Sequence, residues 1–156
     1  MKAAASVVEG LNAVYILALT FKEQTHKQEH AFQAAKYKRL TCWFDKLTTR
    51  VHKIVIHELV DWFAEHGIDS DSKLLEVRVA DAEEPSDAFM YTLDLLTASH
   101  AAYRVACEAV EDVGDYVTQT LIHKHLKKIE RWTDKAEAEL ATIAKLGPEL
   151  YLQKMK

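Results

Sequence analysis

Glycine and proline are scarce in this sequence, with four and two residues among 156. Apart from Gly10, they lie near the ends of apolar stretches, and their scarcity favours long uninterrupted helices. Only two cysteines are present, Cys42 and Cys107, and they lack CxxC spacing. This count argues against a disulfide framework and predicts free, buried thiols in a reducing compartment such as the cytoplasm.

The sequence also lacks a basic excess and a long apolar run. Its net charge is −4, which gives nucleic-acid binding no electrostatic support. No run of about 18 apolar residues occurs, which predicts no membrane-spanning helix, and the first residues lack the apolar core of a signal peptide. With 49% hydrophobic and 28% charged residues, the chain is typical of a globular protein, and its length predicts one domain over 1–156.

Apolar residues recur at helical spacing along four long segments, and a shorter segment follows the last glycine. The segments cover about residues 4–33, 38–66, 86–112, 116–145 and 148–155. The predicted core stripes of the four long segments are Val7, Leu11, Val14 and Ala18; Phe44, Leu47, Val51 and Ile54; Phe89, Leu93, Leu96, His100, Tyr103, Cys107 and Val110; and Ile122, His125, Ile129, Trp132 and Ala136.

The connection between the second and third segments, IDSDSKLLEVRVADAEEPSD, is too long to join adjacent antiparallel helices. It predicts a crossover along the molecule, whereas the short connections elsewhere make segments one and two antiparallel, and likewise three and four. The predicted fold is all-α, a four-helix bundle in up-down-down-up order with a long crossover and a short fifth helix.

This layout and several short strings resemble those of the bacterioferritins, which are ferritin-like proteins. The strings are LN at 11–12, Leu19, YKRL at 37–40, Gly67, GDYV at 114–117 and AKLGPELYLQ at 144–153. The resemblance covers nearly the whole chain. It implies a ferritin-like bundle, a twenty-four-subunit iron-storage shell, Fe(II) oxidation at a carboxylate and histidine di-iron site, and haem held by a methionine from each of two subunits.

The family's di-iron ligands are glutamates and histidines, and their positions carry only apolar or aromatic residues here. Those positions are Ala18, Val51, Ile54, Leu96, Ile129 and Trp132. Iron needs anionic oxygen and imidazole ligands, which these side chains do not supply. We therefore expect the standard ferroxidase site to be absent.

The haem-binding methionine of the family falls on His52. Because successive helix residues are about 100° apart, His52 leaves the Val51 and Ile54 stripe and joins a second stripe. That second stripe is Thr49, His52, Ile56, Leu59 and Phe63.

A helix that is apolar on two faces must bury both, so the second stripe is a candidate subunit interface. Two copies of His52 would there ligate the iron of one haem b from opposite sides. The predicted pocket residues are Leu19, His26, Thr49, Ile56 and Leu59. The alternative is a histidine that forms hydrogen bonds at a dimer seam without a cofactor, and the polar Lys22 and Glu23 nearby are unusual for a haem wall.

His100 and His125 each lie one turn from a vacated iron position, displaced towards the same end of the bundle. The equivalent step on the first segment reaches Val14 or Tyr15, and that on the second reaches Glu58. One layer is therefore expected to gather Tyr15, Glu58, His100 and His125. It is either a single Zn(II) or Fe(II) site with ligands Glu58, His100 and His125, or a buried hydrogen-bond network. His30, His57 and His123 are predicted to be exposed.

Three functions stay open on the sequence alone. The first is a haem-binding protein with an electron-transfer or iron-storage-accessory role. It would self-associate through the face of the first two helices as a dimer or a shell, alone or with a ferroxidase-active sister subunit. The second is a structural or interaction subunit without a cofactor. The third is a metalloprotein that uses the displaced layer.

Overall fold

The computed structural model describes residues 4–156, and this part of the chain is helical throughout apart from its connections. The helices are α1 (Ala5–Ala34), α2 (Lys38–Arg50), a π-helical segment (Val51–Ile56), α3 (His57–Glu65), α4 (Pro85–Asp112), α5 (Tyr116–Leu146) and α6 (Pro148–Lys154). The predicted all-helical class is confirmed, and the helix ends lie within one residue of the predicted ends.

The α2, π-helical and α3 segments form one continuous helix, because Arg50, Val51, Ile56 and His57 all have right-handed helical backbone angles. This helix ends at Glu65. Gly67 follows with a φ of 65°, which favours glycine, and the Ile68 amide donates to the Phe63 carbonyl at 2.9 Å.

The first helix, α1, packs against α2 and α4, and α4 packs against α5. The main core lies between these helices, and a second apolar cluster near α6 contains Phe32, Phe44 and Phe89. Helix α1 approaches α4 closely at Gly10, where an added Cβ would lie 3.1 Å from Ala106. This contact explains a glycine inside a helix, where it would otherwise cost up to about 1 kcal/mol.

Polar side chains of α1 hold the connection between α3 and α4. Its backbone amides donate to Asn12 Oδ1, Thr20 Oγ1, Gln24 Oε1 and Gln28 Oε1 at 2.8 to 3.0 Å. These acceptors recur at helical spacing on one face of α1, so the connection lies along that helix, where its amides would otherwise lack partners.

The π-helical segment changes which side chains face the core. Its hydrogen bonds join residues five positions apart, so it fits more residues into each turn than an α-helix and alters the phase of the residues after it. The half-buried Ile54 leaves the predicted stripe, while Ile56, Leu59 and Phe63 are 5%, 0% and 2% exposed in the main core. The prediction that Ile56, Leu59 and Phe63 lie on a second, outer face of this helix is therefore wrong.

The buried face of α4 also differs from the predicted core stripe, by one residue at each of three positions. Thr92, Ser99 and Ala106 are buried, whereas the predicted core residues Leu93, His100 and Cys107 are only half-buried. Small residues suit the close approach of α1. The two hydroxyls donate to Ala88 O at 2.8 Å and Leu95 O at 2.7 Å, so both are satisfied.

Both cysteines are free, but the expectation that they are buried is wrong for both. Cys42 lies on the exposed side of α2, and Cys107 is half-buried at the edge of the buried face of α4. Both thiols are therefore accessible from the surface of this chain.

By length and composition alone, α1 is long and apolar enough to cross a membrane, with a mean hydropathy of 1.3 over 18 residues. Residues 4–156 therefore contain one candidate membrane-spanning helix, although the sequence has no uninterrupted apolar run of about 18 residues. Half of that window is buried inside the molecule, as in a core helix of a globular protein.

Candidate functional site

Five of the six positions where the resemblance implies iron ligands meet in the middle of the helices. Ala18, Val51, Leu96, Ile129 and Trp132 line one cavity of about 20 Å³. The sixth, Ile54, is half-buried and does not line it, because the π-helical segment alters the phase of the helix.

The lining of this central cavity contains no carboxylate or imidazole. Its other residues are Val14, Phe21, Val55, Ser99 and Tyr103. The Ser99 and Tyr103 hydroxyls are engaged in hydrogen bonds. Within residues 4–156, the buried indole nitrogen of Trp132 has no hydrogen-bond partner, but an indole N–H is a donor only and does not ligate a metal. The chemistry of these side chains does not fit a ferroxidase centre.

His52 is exposed on the outer side of the π-helical segment. The positive charge of Lys22, partial burial and His57 together lower the pKa of His52. The ring of His57 lies 6.5 Å away, centroid to centroid. The His52 imidazole is therefore neutral at neutral pH, which is the form that ligates a metal.

The predicted haem pocket is assembled only in part. His26 and Thr49 are exposed, and Leu19 is half-buried against the main core. Ile56 and Leu59 were predicted to line the pocket, but they lie inside the chain's own core, because the π-helical segment turns them inwards. A haem at His52 would meet a more polar wall than the resemblance implies.

The displaced layer forms around His125, which is fully buried on α5. Its Nδ1 lies 2.8 Å from the Tyr103 hydroxyl, and its Nε2 lies 3.1 Å from Glu58 Oε1. The second carboxylate oxygen of Glu58 accepts from Lys124 Nζ at 2.6 Å. Since an ionised carboxylate only accepts, Nε2 carries the proton and the Tyr103 hydroxyl donates to Nδ1.

The charges of this layer follow from its surroundings. Burial lowers the pKa of His125, although Glu58 and the Ile54 backbone act to raise it. For Glu58, burial acts to raise the pKa, but hydrogen bonds and charges of Lys124 and His125 outweigh it and lower the pKa. Burial also raises the pKa of Tyr103. The layer therefore contains a neutral histidine, a neutral tyrosine and an ionised glutamate.

His100 does not belong to this layer, so the predicted three-ligand set of Glu58, His100 and His125 is wrong. His100 is half-buried at the edge of the buried face of α4, where its Nε2 lies 3.2 Å from Glu130 Oε1. Tyr15 packs edge-on against Phe63, with ring centroids 5.4 Å apart. Of the four residues predicted for this layer, Glu58 and His125 remain, and they form hydrogen bonds with each other, with Tyr103 and with Lys124.

A third group of polar residues is not apparent from the sequence pattern. Cys107 and Glu111 on α4 and His123 on α5 place possible ligand atoms within 4.8 Å of one another. The pattern assigns Cys107 to the core and His123 to a solvated face. The available signal is the spacing of Cys107 and Glu111, which places them on one side of a helix.

Burial and the neighbouring Glu111 raise the pKa of Cys107. A nucleophilic cysteine needs a lowered pKa, so this environment does not suit a reactive thiolate.

Comparison of the chain with models of protein families and with characterised protein sequences finds no match. The bacterioferritin resemblance stays a prediction that rests on the strings and their spacing.

Proposed function

We propose that this chain is a ferritin-like four-helix-bundle subunit of the bacterioferritin type that lacks ferroxidase chemistry and binds haem b between two copies through His52. The observation that carries the proposal is the convergence of Ala18, Val51, Leu96 and Ile129, with Trp132, around one central cavity. These residues come from α1, the π-helical segment, α4 and α5, which are the elements that would supply di-iron ligands.

The connection between α3 and α4 supports the same topology. It lies along α1 and is held there by Thr20, Gln24 and Gln28. A connection along the length of the molecule makes the helices on either side of it parallel. This geometry supports an up-down-down-up bundle, with α6 as the short fifth helix.

The haem assignment is supported by the exposure and the neutral state of His52. An axial ligand shared between two subunits has to reach out of its own chain, and an exposed imidazole on an outer helix face does so. His52 would ligate the iron, and Leu19, His26 and Thr49 would contact the porphyrin. Bound haem supplies one-electron chemistry, which suits an electron-transfer or iron-storage-accessory role.

The partner in this proposal is a second copy that packs through the face formed by α1 and α2, as a dimer or within a larger shell. A ferroxidase-active sister subunit would supply the iron chemistry that the apolar centre of this chain does not support. Light scattering on the purified protein distinguishes a dimer from a shell.

The absorption spectrum of the protein after reconstitution with haem tests the proposal. We expect a Soret band at about one haem per two chains, since each iron takes one imidazole from each subunit. The band is lost in His52→Ala and kept in His57→Ala, which removes the adjacent exposed histidine. A protein that binds no haem, or a Soret band that His52→Ala leaves unchanged, would contradict the haem assignment.

The second candidate is a structural or interaction subunit without a cofactor. It is favoured by the burial of Ile56 and Leu59, which removes two apolar residues from the haem wall. This candidate predicts that His52→Ala changes neither absorbance nor oligomer size.

A further inference from the structure

We propose that Cys107, Glu111 and His123 form a binding site for a zinc-type divalent cation between α4 and α5. Cys107 Sγ lies 3.4 Å from His123 Nε2 and 3.6 Å from Glu111 Oε1. Ligand bonds to zinc are about 2.3 Å for sulfur and about 2.0 to 2.2 Å for nitrogen and oxygen. Around a tetrahedral centre these bonds place a sulfur about 3.5 to 3.7 Å from the other ligands, which is close to both distances.

The three side chains come from two helices that pack on each other, so the folded backbone already holds them together. Cys107 and Glu111 are one turn apart on α4, and His123 faces them from α5. Gln119 Nε2, one turn before His123, donates to Glu111 Oε1 at 3.1 Å. An outer hydrogen bond of this kind orients a ligating carboxylate.

The donor set determines the class of ion. A thiolate and an imidazole suit zinc and similar transition metals, whereas calcium and magnesium prefer oxygen ligands alone. Cys107 is half-buried, while Glu111 and His123 are exposed, so an ion reaches the site from solvent. Three protein ligands leave a fourth position for water, as in zinc sites that react with or exchange ligands.

This site is independent of the proposed haem. It lies on α4 and α5, contains none of the central-cavity residues and uses a face other than that of α1 and α2. Its test can therefore fail while the haem proposal holds, and the reverse is also true.

Titration of the metal-free, reduced full-length protein with Co²⁺ tests the site, because thiolate ligation of Co²⁺ gives a charge-transfer band in the near ultraviolet. Imidazole pairs such as His26 and His30, whose Nε2 atoms lie 3.2 Å apart, do not produce this band. We expect one Co²⁺ per chain with the band, and bleaching by Zn²⁺, which binds the same ligands more tightly.

The variants Cys107→Ser and His123→Gln separate the proposed ligands from other metal-binding groups. Cys107→Ser should remove the band. His123→Gln should raise the Kd at least about tenfold, since even outer partners of a metal site are worth 10- to 100-fold in affinity. Cys42→Ser is the matched control at the other free cysteine and should change nothing. The three substituted positions are exposed or half-buried, so circular dichroism should show unchanged helicity.

Three results would overturn the assignment. They are a wild-type protein without the band, a band that survives Cys107→Ser, and a band that is lost in Cys42→Ser.

Discussion

Two neighbouring regions between the same helices are stabilised in opposite ways, one by apolar packing and the other by hydrogen bonds between polar side chains. Around the central cavity, Leu96 and Ile129 contribute only apolar surface, which is stable because it is removed from water. One to two turns away, Tyr103 and His125 are buried and Glu58 is half-buried, and hydrogen bonds connect these three polar side chains. We therefore expect a buried charge to destabilise the first region and the loss of a hydrogen-bond partner to destabilise the second.

The sharpest way to break this contrast is to place a carboxylate in the apolar region. Leu96 is 2% exposed, and Leu96→Glu buries a charge with no partner in the cavity lining. We expect the free energy of unfolding in urea to fall by at least about 4 kcal/mol. The volume-matched control Leu96→Met should cost less than about 1.5 kcal/mol. A loss for Leu96→Glu as small as that of the control would mean that water or a cation reaches the centre.

Removing one hydroxyl from the polar region should have a smaller effect. Tyr103→Phe takes away the donor 2.8 Å from His125 Nδ1 and leaves that buried nitrogen unpaired. The expected loss is about 1 to 3 kcal/mol of unfolding free energy, measured by urea denaturation. The control Tyr116→Phe, at a side chain that is 75% exposed, should change stability by less than about 0.5 kcal/mol. Equal effects at the two tyrosines would remove the hydrogen bond as the cause.

The smallest expected effect is the pH dependence of the free energy of unfolding that arises from His125 in the polar region. Burial lowers the pKa of His125 below its ordinary 6.5, so below that pH the unfolded chain binds a proton that the folded chain does not. Its contribution to stability is present above pH 6.5 and is lost as the pH falls towards the folded value. Glu58 acts in the same direction at lower pH, because its folded pKa is also lowered.

Urea denaturation at a series of pH values measures this dependence. We expect His125→Gln to show a shallower loss of stability than the wild type just below pH 6.5, even if its stability is lower throughout. The same slope in both proteins would assign the pH dependence to other groups.

The sequence was sufficient to predict the helix positions, because the apolar spacing is regular and glycine or proline lies near most helix ends. It also predicted that Glu58 and His125 lie in one layer. Both results come from local periodicity, which depends on residues a few positions apart.

The errors on the π-helical segment and on α4 are errors of helix phase. The residues VHKIVI give no sequence pattern that predicts a π-helical turn, so the apolar spacing of an α-helix places Ile56 and Leu59 on an outer face. On α4, the buried positions include Thr92, Ser99 and Ala106, and Ala106 lies next to Gly10 of α1, a contact between residues far apart in the sequence. His100 and Cys107 lie at the edge of this buried face.

We expect the π-helical segment to make this part of the chain tolerant to the loss of one residue. A π-helical hydrogen bond spans five positions and an α-helical one spans four, so we expect the loss of one residue from Val51–Ile56 to restore ordinary winding. The residues before and after it keep their faces towards the core. In α4, which is α-helical throughout, the same deletion would turn every later side chain by about 100°.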